Sequence, residues 1–260
     1  MSEYECPKCK RVYSGNEFLK SKFCPECGMF LFPKYVREVR IKTPRNKAIE
    51  IETLELTRDQ INIHTLFEEF MRLKDFPMGE GMVGSDVPTW ISDRKKAYAV
   101  FQKKFNNKEM GDDEVLYDNY KDFLYFKNNL SWTTLYRSGM EALKHLSSLR
   151  RLLVFLQDES IPIQERVNRG LGDYHVEGVG IAILTGLLHT FHPDKYGVWN
   201  SRTTDTLNII KRKPILTSNI GNNYLPINDE LKQLVKELNT DLTTIDGFMW
   251  FISKRIKIIP

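Results

Sequence analysis

The sequence has no apolar run long enough to cross a membrane. Its longest, such as 152–156, fall far short of the roughly 20 residues a span needs. No apolar stretch follows the N-terminal MSEYECPKCK, so no secretory signal is read there and a cytoplasmic location is expected. Glycine and proline are sparse, 15 and 11 in 260 residues, which argues against a low-complexity or disordered chain. Cysteine is rarer still: four residues, all within the first 28, so no disulfide framework can hold the rest of the chain together. What is present is a globular composition, 41% hydrophobic and 28% charged, long enough for one large domain or a medium one with a small appendage.

The net charge of +4 is unevenly placed. Residues 1–47 hold eleven Lys and Arg against five Asp and Glu, giving +6, whereas the other 213 hold 27 against 29, giving −2. A basic end on a near-neutral body points to a polyanion as partner.

The four cysteines lie in that basic end as Cys6-Pro-Lys-Cys9 and Cys24-Pro-Glu-Cys27-Gly28, with fourteen residues between the pairs. Two CxxC turns bring four thiolates to one ion and complete the tetrahedral shell of a structural Zn²⁺. Redox pairs and disulfides are the alternatives, disfavoured by the cytosolic reading and by the lack of a βαβ pattern around either pair. Val12 and Tyr13 read as the start of one short strand and Met29 to Phe32 as another. The segment resembles a zinc ribbon over about residues 4–32. With four Cys the site is closed, so the metal holds structure and does no chemistry. Ribbons bind DNA, RNA or protein. Lys8, Lys10, Arg11, Lys20 and Lys22 favour a polyanion, against the plainer reading of a solubilising surface.

Residues 34–56 read as a linker with one strand at most. From Thr57 the hydrophobic period is helical. Helices are expected over 58–75, from Pro88 to about Asn106, over 112–128, over 133–158, from Pro162 to about Arg169, from Ile181 to about Thr190, from near Asn200 through Ile210, and over 228–239 and 243–255. The expected fold is therefore mainly α: a β zinc ribbon over 1–33, the linker, and an all-helical domain over 57–260 with eight to ten helices.

The chemistry concentrates in 163–210. Val176-Glu177-Gly178-Val179-Gly180 precedes the apolar helix at Ile181. Two glycines around an apolar residue permit a tight turn between helices and leave amides at a helix N-terminus, a ready phosphate site. On this hairpin at about 163–190, with the helix, loop and new helix after it, the chain resembles the helix-hairpin-helix DNA glycosylase superfamily. That family places a catalytic Asp about twenty residues past the last hairpin glycine, which here falls on Asn200 in Val198-Trp199-Asn200-Ser201-Arg202. Members that also cleave the strand carry a Lys two residues past that glycine, and here it is Ala182. The resemblance implies a monofunctional enzyme that flips a modified base out of duplex DNA and leaves an abasic site, and a monomer is expected. It extends in outline to bacterial anti-phage glycosylases that remove glucosylated hydroxymethylcytosine.

Asn200 lacks the negative charge that stabilises a sugar cation, so it either orients water beside another carboxylate or simply caps a helix. Asp173, Glu177, Asp194 and Asp205 are candidate carboxylates. Asp205, five residues on, points about 140° from Asn200 on a regular helix. His175, Gly178, Val179, Gly180, Lys195 and Arg202 are candidate DNA contacts, and the run Lys211-Arg212-Lys213 reads as either phosphate contacts or a solvated face. Trp132, Tyr136 and Trp199 are candidates for stacking an extruded base, with Asn128 and Asn129 to read its edge. The other class compatible with Asn200 is a non-catalytic helix-hairpin-helix module that binds DNA or RNA, or the recognition subunit of a defence system.

Overall fold

The computed structural model describes residues 3–5, 12–14, 32–33, 53–76, 85–106, 110–125 and 136–259. The chain divides into two units, Met1–Asn46 and Lys47–Pro260. In the first, strands β1 (Glu3–Glu5), β2 (Val12–Ser14) and β3 (Phe32–Pro33) form an antiparallel sheet in the order β2-β1-β3. Tyr4 pairs with Tyr13 and Glu5 with Phe32. The four cysteines and the five basic residues around them lie outside the described residues.

The second unit is helical, and 66% of the described residues are in helices. Its helices are α1 (Ile63–Met71), α2 (Val87–Lys104), α3 (Asp113–Tyr125), α4 (Tyr136–Glu141), α5 (Leu146–Gln157), α6 (Ile163–Leu171), α7 (Ile181–Phe191), α8 (Ser201–Ile209), α9 (Ile220–Glu237) and α10 (Leu242–Arg255). Short polar side chains start half of them. Asn62, Asp86, Asn200, Asn219 and Asp241 each accept a backbone N–H of the first turn, each cap contributing about 1 kcal/mol.

Three expectations need correction. The helix expected over 133–158 is broken: α4 runs into a 3₁₀ turn at Ala142–Lys144, and His145, at φ −129° and ψ 52°, separates it from α5. The helix expected from 228 begins at Ile220, eight residues earlier, despite Gly221 and Pro226. Packing decides this, because the Gly221 N–H donates to Asn168 Oδ1 on α6 at 2.8 Å. A Cβ at Gly221 would stand 2.2 Å from the Gln164 carbonyl oxygen, so only glycine lets α9 lie this close to α6. Finally, Leu54–Leu56 (β4) does not stay within a linker, since it pairs in parallel with β5 (Ile256–Ile258) at the far end of the chain.

The helices enclose two apolar clusters. One gathers α3, α5, α6, α7 and the C-terminal half of α2, with Phe101, Phe105, Leu152 and Leu188 buried. The other gathers α1, α8, α9, α10 and the N-terminal part of α2, with Phe70, Trp90, Phe248 and Phe251 buried. Each such large side chain contributes roughly 1.5–3 kcal/mol through burial. Trp199 packs against both clusters, just before α8.

Candidate functional site

Two helices joined by a turn over 172–180 occupy the stretch singled out above. Helix α6 can approach α7 closely because Gly170 leaves room for Leu184, whose Cδ1 would lie 2.6 Å from a Cβ there. In the turn, Val179 is buried and its N–H donates to the Val176 carbonyl at 2.9 Å, so Val179 pins the loop to the core. The two glycines on either side of it differ. Gly178 sits at φ +85°, a conformation that L side chains rarely adopt. Gly180 has an ordinary φ of −87°, and a Cβ there would meet nothing within 4 Å. Among the described residues no hydrogen bond takes up the N–H groups of Gly180 and Ile181 at the start of α7. His175, earlier in the same turn, is exposed.

The second feature is a cleft lined by Trp90 and Arg94 from α2, by Asn200, Arg202 and Thr203 at the start of α8, and by Asp246, Gly247, Met249 and Trp250 from α10. It holds about 270 Å³ of empty space including its mouth, and inside it there is room for one water and not for a base. Gly247 keeps its wall flat: a Cβ there would lie 2.5 Å from Trp90 Cζ3.

Charge is concentrated in this cleft. Arg94 Nη1 lies 3.0 Å from Asp246 Oδ2, with side chains only 2% and 7% exposed. Arg94 Nε also donates to the Tyr98 hydroxyl at 2.9 Å, and its ring neighbours include Trp90, 4.8 Å from Arg94 Cζ. Burial pushes the Tyr98 phenol up to about 12. His189 completes the network, edge-on to Tyr98 with ring centroids 5.0 Å apart. Burial takes His189 down to about 4, so it is neutral at pH 7. A carbonyl can only accept, so His189 Nδ1 carries the proton and donates to Tyr196 O at 2.6 Å, leaving Nε2 to face Thr243 Oγ1 at 3.4 Å. Arg202 is half-buried and makes no close ion pair among the described residues. Burial lowers its pKa, while the charge of Asp246 partly offsets that effect. Among the described residues that line the cleft, Arg94, Asp246 and Arg202 sum to one positive charge.

Asn200 is in this cleft as the N-cap of α8. Its Oδ1 accepts from Thr203 N at 3.0 Å. Asp194 and Asp205 are exposed and do not line it. Asp173 pairs with Arg169 at 3.2 Å, and Glu177 lies 3.5 Å from His145. Lys195 holds Glu159 through both carboxylate oxygens, at 2.8 and 3.0 Å. In the basic run, Lys211 pairs with Asp59 and Arg212 with Glu237. Trp199 donates from Nε1 to Thr204 Oγ1 at 3.0 Å and stacks on buried Tyr224, a position inside the fold. Trp132, Asn128 and Asn129 lie outside the described residues, and Tyr136 is placed on α4 by its backbone alone.

Sequence reasoning missed Arg94 and Asp246. The signal was available: each is a charge set within an apolar stripe, Trp90-x₃-Arg94-x₃-Tyr98 and Ile245-Asp246-Gly247-Phe248, and charges in such positions are buried only when paired. Among the described residues no cluster of His, Cys, Asp or Glu could hold a metal ion, and no helix is long and apolar enough to cross a membrane. Comparison with protein-family models, curated proteins and solved structures finds no match.

Proposed function

We propose that this chain is a DNA N-glycosylase that draws a modified nucleotide out of duplex DNA and hydrolyses its glycosidic bond. The observation that carries this reading is the joint placement of hairpin and cleft. A turn with open amides at Gly180 and Ile181 leads into α7, and the next helix begins in a charged cleft at Asn200, twenty residues after Gly180. The open amides and the positive end of α7 suit a DNA phosphate, and the unoccupied side of Gly180 lets a strand lie against the backbone. Arg202 suits the phosphate of the extruded nucleotide, and one phosphate cancels the surplus charge of the cleft. Ala182 offers no amine, so the product is an intact strand with an abasic site. Cys6, Cys9, Cys24 and Cys27 hold a structural Zn²⁺. Four thiolates suit that ion, and the three-stranded antiparallel sheet of the first unit is compatible with a ribbon.

The test is incubation of the purified protein with duplexes carrying a panel of modified bases, glucosylated hydroxymethylcytosine among them, followed by heating in alkali. Strand breaks at one modified base are expected, and none without alkali. One observation favours a second reading, a module that binds DNA without cutting: the Asn200 oxygen caps α8 and Asp246 is held by Arg94. Retained duplex binding with no breaks on any substrate would establish that reading instead.

A further inference from the structure

We infer that Asp246 supplies the carboxylate that position 200 lacks, holding the attacking water in the cleft and facing the sugar cation as it forms. The inference rests on the glycosylase reading. A glycosidic hydrolysis needs a carboxylate near C1′ to stabilise positive charge and take a proton from water. The two acids nearest Asn200 in the loop and helix, Asp194 and Asp205, are exposed and outside the cleft, whereas Asp246 lines it together with Asn200 and Arg202. Its side chain is 7% exposed, so it reaches the cleft from within the fold. The space between these residues takes one water and no base, which fits a nucleophilic water deep in the cleft, the sugar at its mouth and the base beyond.

Arg94 has a positioning role. A lone carboxylate at this depth is costly. The ion pair at 3.0 Å offsets that cost and fixes the rotamer of Asp246, and Tyr98 in turn orients Arg94. The buried pair is neutral as a unit, so Asp246 acts through proximity to C1′ and to the water, not through a long-range field. In the reaction the C1′–N bond breaks with its electron pair leaving on the base, and the water oxygen bonds to C1′. Asp246 takes one proton from that water and gives it up to solvent, from which the departing base takes a proton. One water is consumed, giving an abasic sugar hydroxyl and a free base.

The test compares excision and duplex binding in three proteins: wild type, the double variant Asp246→Asn with Arg94→Gln, and the same double variant with Asn200→Asp added. Removing both charges together leaves neither one buried alone. The double variant is expected to bind duplex as the wild type does and to lose excision by roughly a hundredfold or more. Asn200→Asp is expected to return at least roughly a tenth of the wild-type rate, since it restores a carboxylate to the same cleft. A merely structural role for Asp246 predicts no such rescue. Should the Gln and Asn pair fail to fold, Arg94→Met with Asp246→Leu provides an apolar replacement for the same comparison. Wild-type excision by the double variant, or loss of binding together with excision and no rescue, overturns the assignment while leaving the glycosylase reading standing. Absence of excision by the wild type overturns both.

Discussion

The hairpin and the cleft are built in opposite ways. The turn over 172–180 is local: its shape comes from Gly178 at φ +85° and from Val179 anchored in the core, while Gly180 leaves its stretch of backbone uncovered. The cleft is non-local. Trp90 and Arg94, Asn200 and Arg202, and Asp246 and Gly247 come from three helices spread over more than half the chain. The hairpin presents backbone to solvent, and the cleft encloses a compensated charge pair. A backbone site recognises what all DNA has in common, its phosphates, whereas a side-chain site can act on one bond.

This contrast predicts different failures. The largest is expected from Arg94→Met alone, which takes from buried Asp246 the ion pair at 3.0 Å. Stability should fall by about 3–5 kcal/mol in urea unfolding, and a loss under about 1 kcal/mol would mean that the pair is not a structural keystone. Next comes pH. His189 has a pKa of about 4 in the fold and about 6.5 unfolded, so between those values the unfolded chain binds more protons. The contribution of His189 is therefore complete above pH 6.5 and is lost as pH falls toward 4, by about 3 kcal/mol over the window. His189→Gln should flatten that part of the stability profile, and an unchanged slope would assign the acid sensitivity to other groups. The smallest stability effects belong to the hairpin. Gly178→Ala should cost about 1 kcal/mol for its left-handed φ, whereas Gly180→Ala should change unfolding by less than about 0.5 kcal/mol yet weaken duplex binding. Equal effects of the two on stability would erase the distinction drawn between them.

The same local and non-local division explains what could be read from the sequence. Helix starts at Pro88, Ile181 and Asn200 were legible because capping residues, prolines and apolar periodicity act within a few positions. The early start of α9 was hidden because Gly221 and Pro226 argue against a helix until Asn168 and Gln164 of α6 are set beside them. The break at His145 was hidden because 133–158 keeps its apolar spacing across it. The pairing of β4 with β5 joins residues about two hundred positions apart, beyond any local signal. In the candidate site, Asn200 was found by its spacing from Gly180. Asp246 was not, because the contact that gives it meaning is with Arg94, about 150 residues away.

The most direct test of the division of labour between hairpin and cleft is to measure duplex binding and base excision side by side for Gly180→Ala and for Asp246→Asn with Arg94→Gln. The account predicts that the hairpin variant loses binding and excision in proportion, while the cleft variant keeps binding and loses excision. Full excision by the cleft variant, or unchanged binding by the hairpin variant, would contradict it.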